Sequence, residues 1–311
     1  METRKIGSLT VSVVGLGCNN FGRRLDAAQT AIVVNACLEN GINFFDTADV
    51  YGGEGRSETY LGQALKGRRN EVIIASKFGL AIDGQGRGAH PDYIRTAVEA
   101  SLSRLGTDYI DLYQLHEPDP DVPIADTLGA LNELVLAGKV REIGSSNFSA
   151  EQIREAEAAV KPGTARFLSV QNRYSLLHRE PEQDGVLTEC ERLGLAFLPY
   201  FPLESGLLTG KIRQGQAAPQ GTRLSESGAA SRFITDHNLA IVERLIHFAE
   251  SRGHTILELA FAWLLARPAV ASVIAGATKA EQVNTNAAAA GWSLTDADLA
   301  AIDTILSQPV G

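Results

Sequence analysis

From Val11 onward, short apolar runs alternate with stretches of helical periodicity, and no other feature of the chain limits its possible folds so tightly. The runs occupy residues 11–17, 42–46, 72–77, 110–116, 140–144, 167–171, 195–200 and 270–275. Parallel strands need a long crossover, usually a helix, so this order predicts a parallel sheet. Eight such units in 311 residues fit a (β/α)8 TIM barrel better than an open doubly wound sheet. The expectation is one α/β domain over residues 1–311, with loop insertions near 79–90 and 212–231. On a barrel, both insertions would overhang the C-terminal face.

Local signals place the helices between the runs. Asp26 with Gln29 forms a capping-box pattern and Gly41 marks the stop of the first helix. Pro91 opens another, with Ile94, Val98, Leu102 and Leu105 on one face. A further helix follows Pro123 and ends at Gly138, and Ser149 with Gln152 opens the next. Helices are expected near 181–193, 238–252 and 256–266, with a last one from Lys279.

Charge and cysteine content narrow the function classes. A net charge of −9 argues against nucleic acid and anionic membranes as partners, so an anionic ligand needs a local basic pocket. Cys18, Cys37 and Cys190 are odd in number and far apart, which points to neither a disulfide framework nor a thiolate metal site. No apolar run approaches the roughly 18 residues of a spanning helix, and the charged residues 1–9 do not read as a signal peptide. A reducing cytoplasm is the expected location.

In a barrel the active site lies at the C-terminal strand ends. Asp46 closes the second run, with Tyr51 just beyond it; Lys77 closes the third and His116 the fourth. A carboxylate beside core-forming Phe44 and Phe45 needs a cationic partner, which Lys77 supplies. A lysine near a phenol favours phenolate, so the Tyr51 pKa is expected below its usual value and the residue suits general acid and base work. No HxH or HExxH pair and no GxxxxGK[ST] loop occurs, and residues 15–22 are spaced GxGxxxxG rather than as a dinucleotide fingerprint. A proton relay without metal or nucleophile suits carbonyl chemistry, with a nicotinamide as the economical hydride source. Asp49 reads as a loop hydrogen-bonder, and the histidines other than His116 as solvated.

Residues 41–52 (GINFFDTADVYG), Ser76-Lys77, residues 112–116 (LYQLH) and residues 138–149 (GKVREIGSSNFS) together resemble the aldo-keto reductases, in order and spacing along nearly the whole chain. The resemblance implies NADPH-dependent reduction of an aldehyde or ketone, or the reverse oxidation, with Tyr51 as acid, Lys77 and Asp46 tuning it, and His116 orienting the carbonyl. It also implies that Ser146, Asn147 and Gln171 bond the nicotinamide amide and that Tyr200 lies against the ring. Phe201, Pro202 and Leu203 continue that segment, and Gly206 to Lys211 resembles the loop that closes over the pyrophosphate. Arg223 resembles an adenosine-phosphate arginine. Gly276, Thr278, Gln282 and Asn286 resemble the strand end and helix that hold the 2′-phosphate and adenine. In this sequence Phe201 stands where many members carry Ser, Thr285 replaces a Glu, and Gln282 stands where some have Arg, so NADH is a second candidate cofactor. The same fold class also admits a different function, a cofactor-binding redox-sensing or regulatory subunit with weak turnover.

Overall fold

The computed structural model describes residues 1–82, 86–215 and 234–308. Its strands are β1 (Thr3–Ile6), β2 (Leu9–Ser12), β3 (Val14–Gly17), β4 (Phe44–Asp46), β5 (Ile73–Phe78), β6 (Ile110–Leu115), β7 (Val140–Ser146), β8 (Phe167–Arg173), β9 (Ala196–Tyr200) and β10 (Val273–Gly276). The last eight form one sheet in the order β10-β3-β4-β5-β6-β7-β8-β9. Every pair in it is parallel. Its ends meet through Phe197, whose N–H donates to the Ala269 carbonyl at 2.6 Å and whose carbonyl accepts from the Ala271 N–H at 3.0 Å. The result is the nearly closed barrel that the alternation of runs and helices predicts.

The crossovers are helices with the expected signatures. The first helix, α1 (Ala27–Glu39), carries the Asp26–Gln29 capping box, and α2 (Arg56–Ala64) follows β4. Next, α3 (Pro91–Leu105) buries Ile94, Val98, Leu102 and Leu105 against the sheet. Helix α4 (Ile124–Leu136) follows Pro123, and α5 (Ala150–Ala158) carries the Ser149–Gln152 box. Two reciprocal side-chain bonds at such a cap contribute about 1 kcal/mol each time.

Three features depart from the sequence reading. Residues 11–17 are not one strand: Val11 belongs to an antiparallel hairpin of β1 and β2, and the barrel strand starts at Val14. The break falls where the Ser12 N–H donates to Asn43 Oδ1 and its hydroxyl to the Val14 carbonyl, which stops ladder pairing. The hairpin turn needs Gly7, because φ is +55° there and a Cβ would lie 2.4 Å from the Leu168 side chain. The helix expected over 181–193 is two, α6 (Glu180–Gln183) and α7 (Val186–Leu193), parted by left-handed Gly185. After α8 (Asp236–Glu250), α9 (Ile256–Leu265) and α10 (Ala280–Ala289), the helix from Lys279 is not the last, since α11 (Asp296–Ser307) follows it. Its Thr295–Asp298 capping box was legible but lacks the usual Glu or Gln.

The hairpin closes one end of the barrel. Ile6, Leu9 and Val11 pack with Phe44, Leu112 and Leu198, among others, in an apolar cluster that includes residues at the beginnings of β4 and β9. The opposite, C-terminal end is left to polar residues. Among the described residues, no helix is long and apolar enough to cross a membrane.

Candidate active site

Three neighbouring strands deliver the ionisable residues of the C-terminal mouth, at or just past their last positions. Asp46 ends β4, Lys77 is next to last in β5, and His116 follows β6, its N–H bonded to the Phe78 carbonyl at 2.8 Å. Lys77 is fully buried, and its Nζ donates to both Asp46 oxygens at 2.7 Å and to the Thr47 carbonyl at 3.0 Å. Asp46 Oδ1 also accepts from Gln171 Nε2 at 2.9 Å. Tyr51 sits over this pair, with Lys77 Nζ 5.1 Å from its ring centroid. The Tyr51 and His116 rings meet edge to face, centroids 5.8 Å apart. A phenol, an imidazole and a buried ammonium thus share one small volume.

Burial fixes the protonation of this group. It raises the Tyr51 phenol above its ordinary range, against the lowering effect of Lys77. The lowered Tyr51 value expected from the sequence is therefore corrected: desolvation outweighs the ammonium, and Asp46 adds to the rise. Burial alone would favour a neutral Lys77 amine, but the charge of Asp46, with Tyr51, carries it the other way and the ammonium is retained. Burial and then Lys77 push His116 down to about 3, so its imidazole is neutral, and its Nδ1 is buried without a partner. At neutral pH the site holds a phenol O–H and a neutral imidazole, both able to donate a hydrogen bond to an oxygen.

Asp49 also differs from expectation. The residue is 1% exposed, and beyond a contact with the Val50 N–H of its own loop neither carboxylate oxygen makes a hydrogen bond of ordinary geometry. Burial, followed by the nearby Glu58 charge, raises it to about 7, while Arg104 and Lys77 oppose the rise. Of the other histidines, His90 caps α3, His178 faces Glu180, and His254 bonds Glu258 and stacks on Trp292.

A cavity of about 1120 Å³ opens from this cluster across the mouth. Asp46, Tyr51, His116, Ser146, Asn147 and Gln171 line its inner part. Tyr200, Phe201, Pro202, Leu203, Gly206 and Lys211 line the side after β9. Gly276, Thr278 and Gln282 line the side after β10, where Gln282 Oε1 accepts from the Thr278 N–H at 2.7 Å. Lys77 lies beneath the wall rather than in it, and Asn286 is buried but does not line the cavity. Arg223 lies outside the described residues, as do residues 83–85 and 216–231 of the two insertions.

The polar side chains of the inner wall are bonded to one another. The Ser146 hydroxyl donates to the Gln171 carbonyl at 2.8 Å. Asn147, in a left-handed conformation with φ +61°, donates from Nδ2 to the His116 carbonyl at 2.9 Å and accepts from the Tyr200 hydroxyl at 2.8 Å. Gln171 spends its Nε2 on Asp46, and both ends of the Asn147 amide are engaged within the protein.

Several residues of the site went unnoticed in the sequence. Gln114 faces Asp46 at 3.5 Å and stands two positions before His116. Strand alternation puts Gln114 and His116 on one face, a signal that was available. Asn19 and Asn20, by contrast, stand just past the first strand end in the sequence as candidate nicotinamide or substrate contacts; both line the cavity, and Asn20 donates to the Ala277 carbonyl at 3.4 Å. Arg23, Arg24 and Lys279 join Lys211 in the lining, so among the described residues a chain of net charge −9 gathers four cations around one cavity. Lys211 and Lys279 fall in segments that the family resemblance marks, whereas no local pattern marks Arg23 and Arg24, which the barrel brings to the others from a distant loop.

Similarity to known proteins agrees with this geometry. The family model described as "Aldo/keto reductase family" matches residues 13–307. "Aldo-keto reductase YhdN" of Bacillus subtilis (strain 168) is 36% identical over 316 aligned positions, covering 97% of this chain and 93% of the relative. A "Probable voltage-gated potassium channel subunit beta" of Arabidopsis thaliana is 33% identical over 297 positions, covering 92% of this chain and 90% of the relative. Its counterpart in Oryza sativa subsp. japonica is 34% identical over 298 positions, with the same coverage. With the barrel, the polar mouth and a match spanning nearly its full length, the chain belongs to the aldo/keto reductase family.

Proposed function

We propose that this chain is a cytoplasmic NADPH-dependent reductase that converts an aldehyde or ketone to an alcohol, or runs the reverse oxidation. The observation that carries the reading is the convergence of Tyr51, His116 and the buried Asp46–Lys77 pair on one cavity. The nicotinamide, when bound, supplies the hydride. Tyr51 gives its proton to the emerging alkoxide, and the neutral His116 imidazole holds the same oxygen by a hydrogen bond. Asp46 moves no proton; it keeps Lys77 charged, and Lys77 favours the phenolate that remains on Tyr51. In the oxidative direction the same residues act in reverse.

The residues around the cavity suit a dinucleotide. Gln171 and Ser146 would hold the carboxamide, Tyr200 the ring face, and Asn147 would exchange one of its internal bonds to join them. Lys211, Lys279 and the start of α10, which has no side-chain cap, suit phosphate groups. Arg223, with the segment from Gly276 through Thr278 and Gln282 to Asn286, is proposed to select NADPH over NADH. The test is a titration with each nucleotide, then a panel of aldehydes, ketones and sugars followed by NADPH absorbance. Multiple turnovers with at least one carbonyl are expected, and none with any would contradict the reading.

Likeness to proteins named as channel beta subunits favours a second reading, a nucleotide-binding regulatory subunit with weak turnover. The complete set of Asp46, Tyr51, Lys77 and His116 favours catalysis over it. One slow turnover, followed by a stable complex with oxidised nucleotide, would reverse that preference.

A further inference from the structure

Directly after β9 the chain takes a costly course. Phe201, Glu204 and Ser205 have φ of +52°, +44° and +56°, left-handed values that side chains other than glycine rarely adopt. They precede or lie within the 3-10 turns of Glu204–Thr209. The same stretch presents Phe201, Pro202, Leu203, Ser205, Gly206 and Thr209 to the cavity. Strained backbone persists only where its surroundings over-determine it, so something must hold this wall.

Glu204 is the one side chain among residues 201–206 that turns away from the cavity into the protein, and it is 1% exposed. Its carboxylate is met by Arg173, through Nε at 3.3 Å and through a second bond from Nη2, and by the Ser175 hydroxyl at 2.7 Å. Arg173 ends β8 directly opposite Tyr200 in the ladder, and the Tyr174 N–H donates to the Tyr200 carbonyl at 3.3 Å. Tyr200 in turn bonds Asn147, which bonds the His116 carbonyl. The anchor of the strained wall is thus continuous with the backbone that carries His116. Arg173, Ser175 and Glu204 themselves do not line the cavity, so any influence on a ligand passes through the segment they hold.

We propose that Arg173, Glu204 and Ser175 form a buried latch that fixes residues 201–210 against the barrel rim and so sets how tightly and how long the cavity holds its nucleotide. The three are positioning residues, and the inference rests on the nucleotide reading above. A buried carboxylate that meets a guanidinium and a hydroxyl holds one geometry; without the charge, the left-handed residues relax toward ordinary backbone and the wall loosens.

The test uses the full chain and NADPH. Equilibrium binding is read by nucleotide fluorescence, and release by chasing bound NADPH with excess NADP. Glu204→Gln is expected to weaken binding about tenfold, mostly through faster release, as is usual for single substitutions at one interface. Arg173→Met should act in the same direction and Ser175→Ala more weakly. The KM for nucleotide should rise while the KM for the carbonyl stays put, and amide exchange over residues 201–210 should quicken in nucleotide-free Glu204→Gln. A lower melting temperature with unchanged affinity, release and exchange would overturn the latch and leave a merely structural ion pair. If Glu204→Gln does not fold, Ser175→Ala decides, and an unchanged release rate in it overturns the latch. If the wild type binds neither NADPH nor NADH, the nucleotide reading fails instead, an outcome distinct from wild-type binding that Glu204→Gln leaves unaltered.

Discussion

At the N-terminal end of the barrel, β4 gives Phe44 to an apolar cluster with Ile6, Leu9 and Val11 of the hairpin; two residues later it gives Asp46 to a buried ion pair. The neighbouring strands make the same transition, from Ala75 to Lys77 in β5, and from Leu112 through Gln114 to His116 along and just past β6. Residues two apart on a strand share a face, so these are successive inward layers of one barrel. Stability and chemistry therefore reside at opposite ends of the barrel. The closed end supplies burial without chemistry. The open end confines charges and unpartnered polar atoms, a cost to stability that a chain retains for what such groups do.

Removing Lys77 should break this contrast most severely. Lys77→Met leaves Asp46 charged, buried and short of its partner, which costs about 3–5 kcal/mol. Urea unfolding is expected to show that loss, together with abolished turnover in the fraction that stays folded. Phe44→Ala probes the other end. A truncated core phenylalanine costs about 3 kcal/mol or more, yet the folded fraction should keep its KM values, because the mouth is untouched. A large KM change in Phe44→Ala would show that the two ends are not separable.

Asp49 gives a smaller effect with a defined sign. Its pKa lies near 3.8 when exposed and is raised to about 7 in the fold, so the native state keeps a proton that the unfolded chain releases. Its stabilising contribution is therefore complete below pH 3.8 and is lost as pH rises to about 7. Asp49→Asn should remove that slope, becoming more stable relative to the wild type toward neutrality by on the order of 1–2 kcal/mol, at 1.4 kcal/mol per pKa unit softened by water entry. Chemical denaturation of both proteins across this window checks it, and parallel curves would contradict it.

The barrel, and the strand ends that carry Asp46, Lys77 and His116, were legible because apolar runs, caps and turn residues are local signals. The hairpin was not, because residues 11–17 read as one nearly continuous apolar run and only the side-chain bonds of Ser12 show where it splits. The burial of Asp49 is hidden for a similar reason. Its environment is set by Glu58 of α2 and Arg104 of α3, which approach only in the folded chain. The direction of the Tyr51 shift depends on how completely the phenol is enclosed, and no spacing in the sequence records that. The role of Glu204 depends on Arg173, which lies 31 residues away and which no local motif marks.

The central claim is that Tyr51, kept as a phenol above the Asp46–Lys77 pair, delivers the proton when a carbonyl is reduced. A single-turnover experiment, with carbonyl mixed into enzyme preloaded with NADPH, tests it most directly in Tyr51→Phe. NADPH affinity should match the wild type, since the ring remains, while the rate of nucleotide oxidation falls by about 10² to 10⁴. A rate close to that of the wild type at matched NADPH occupancy would contradict the account.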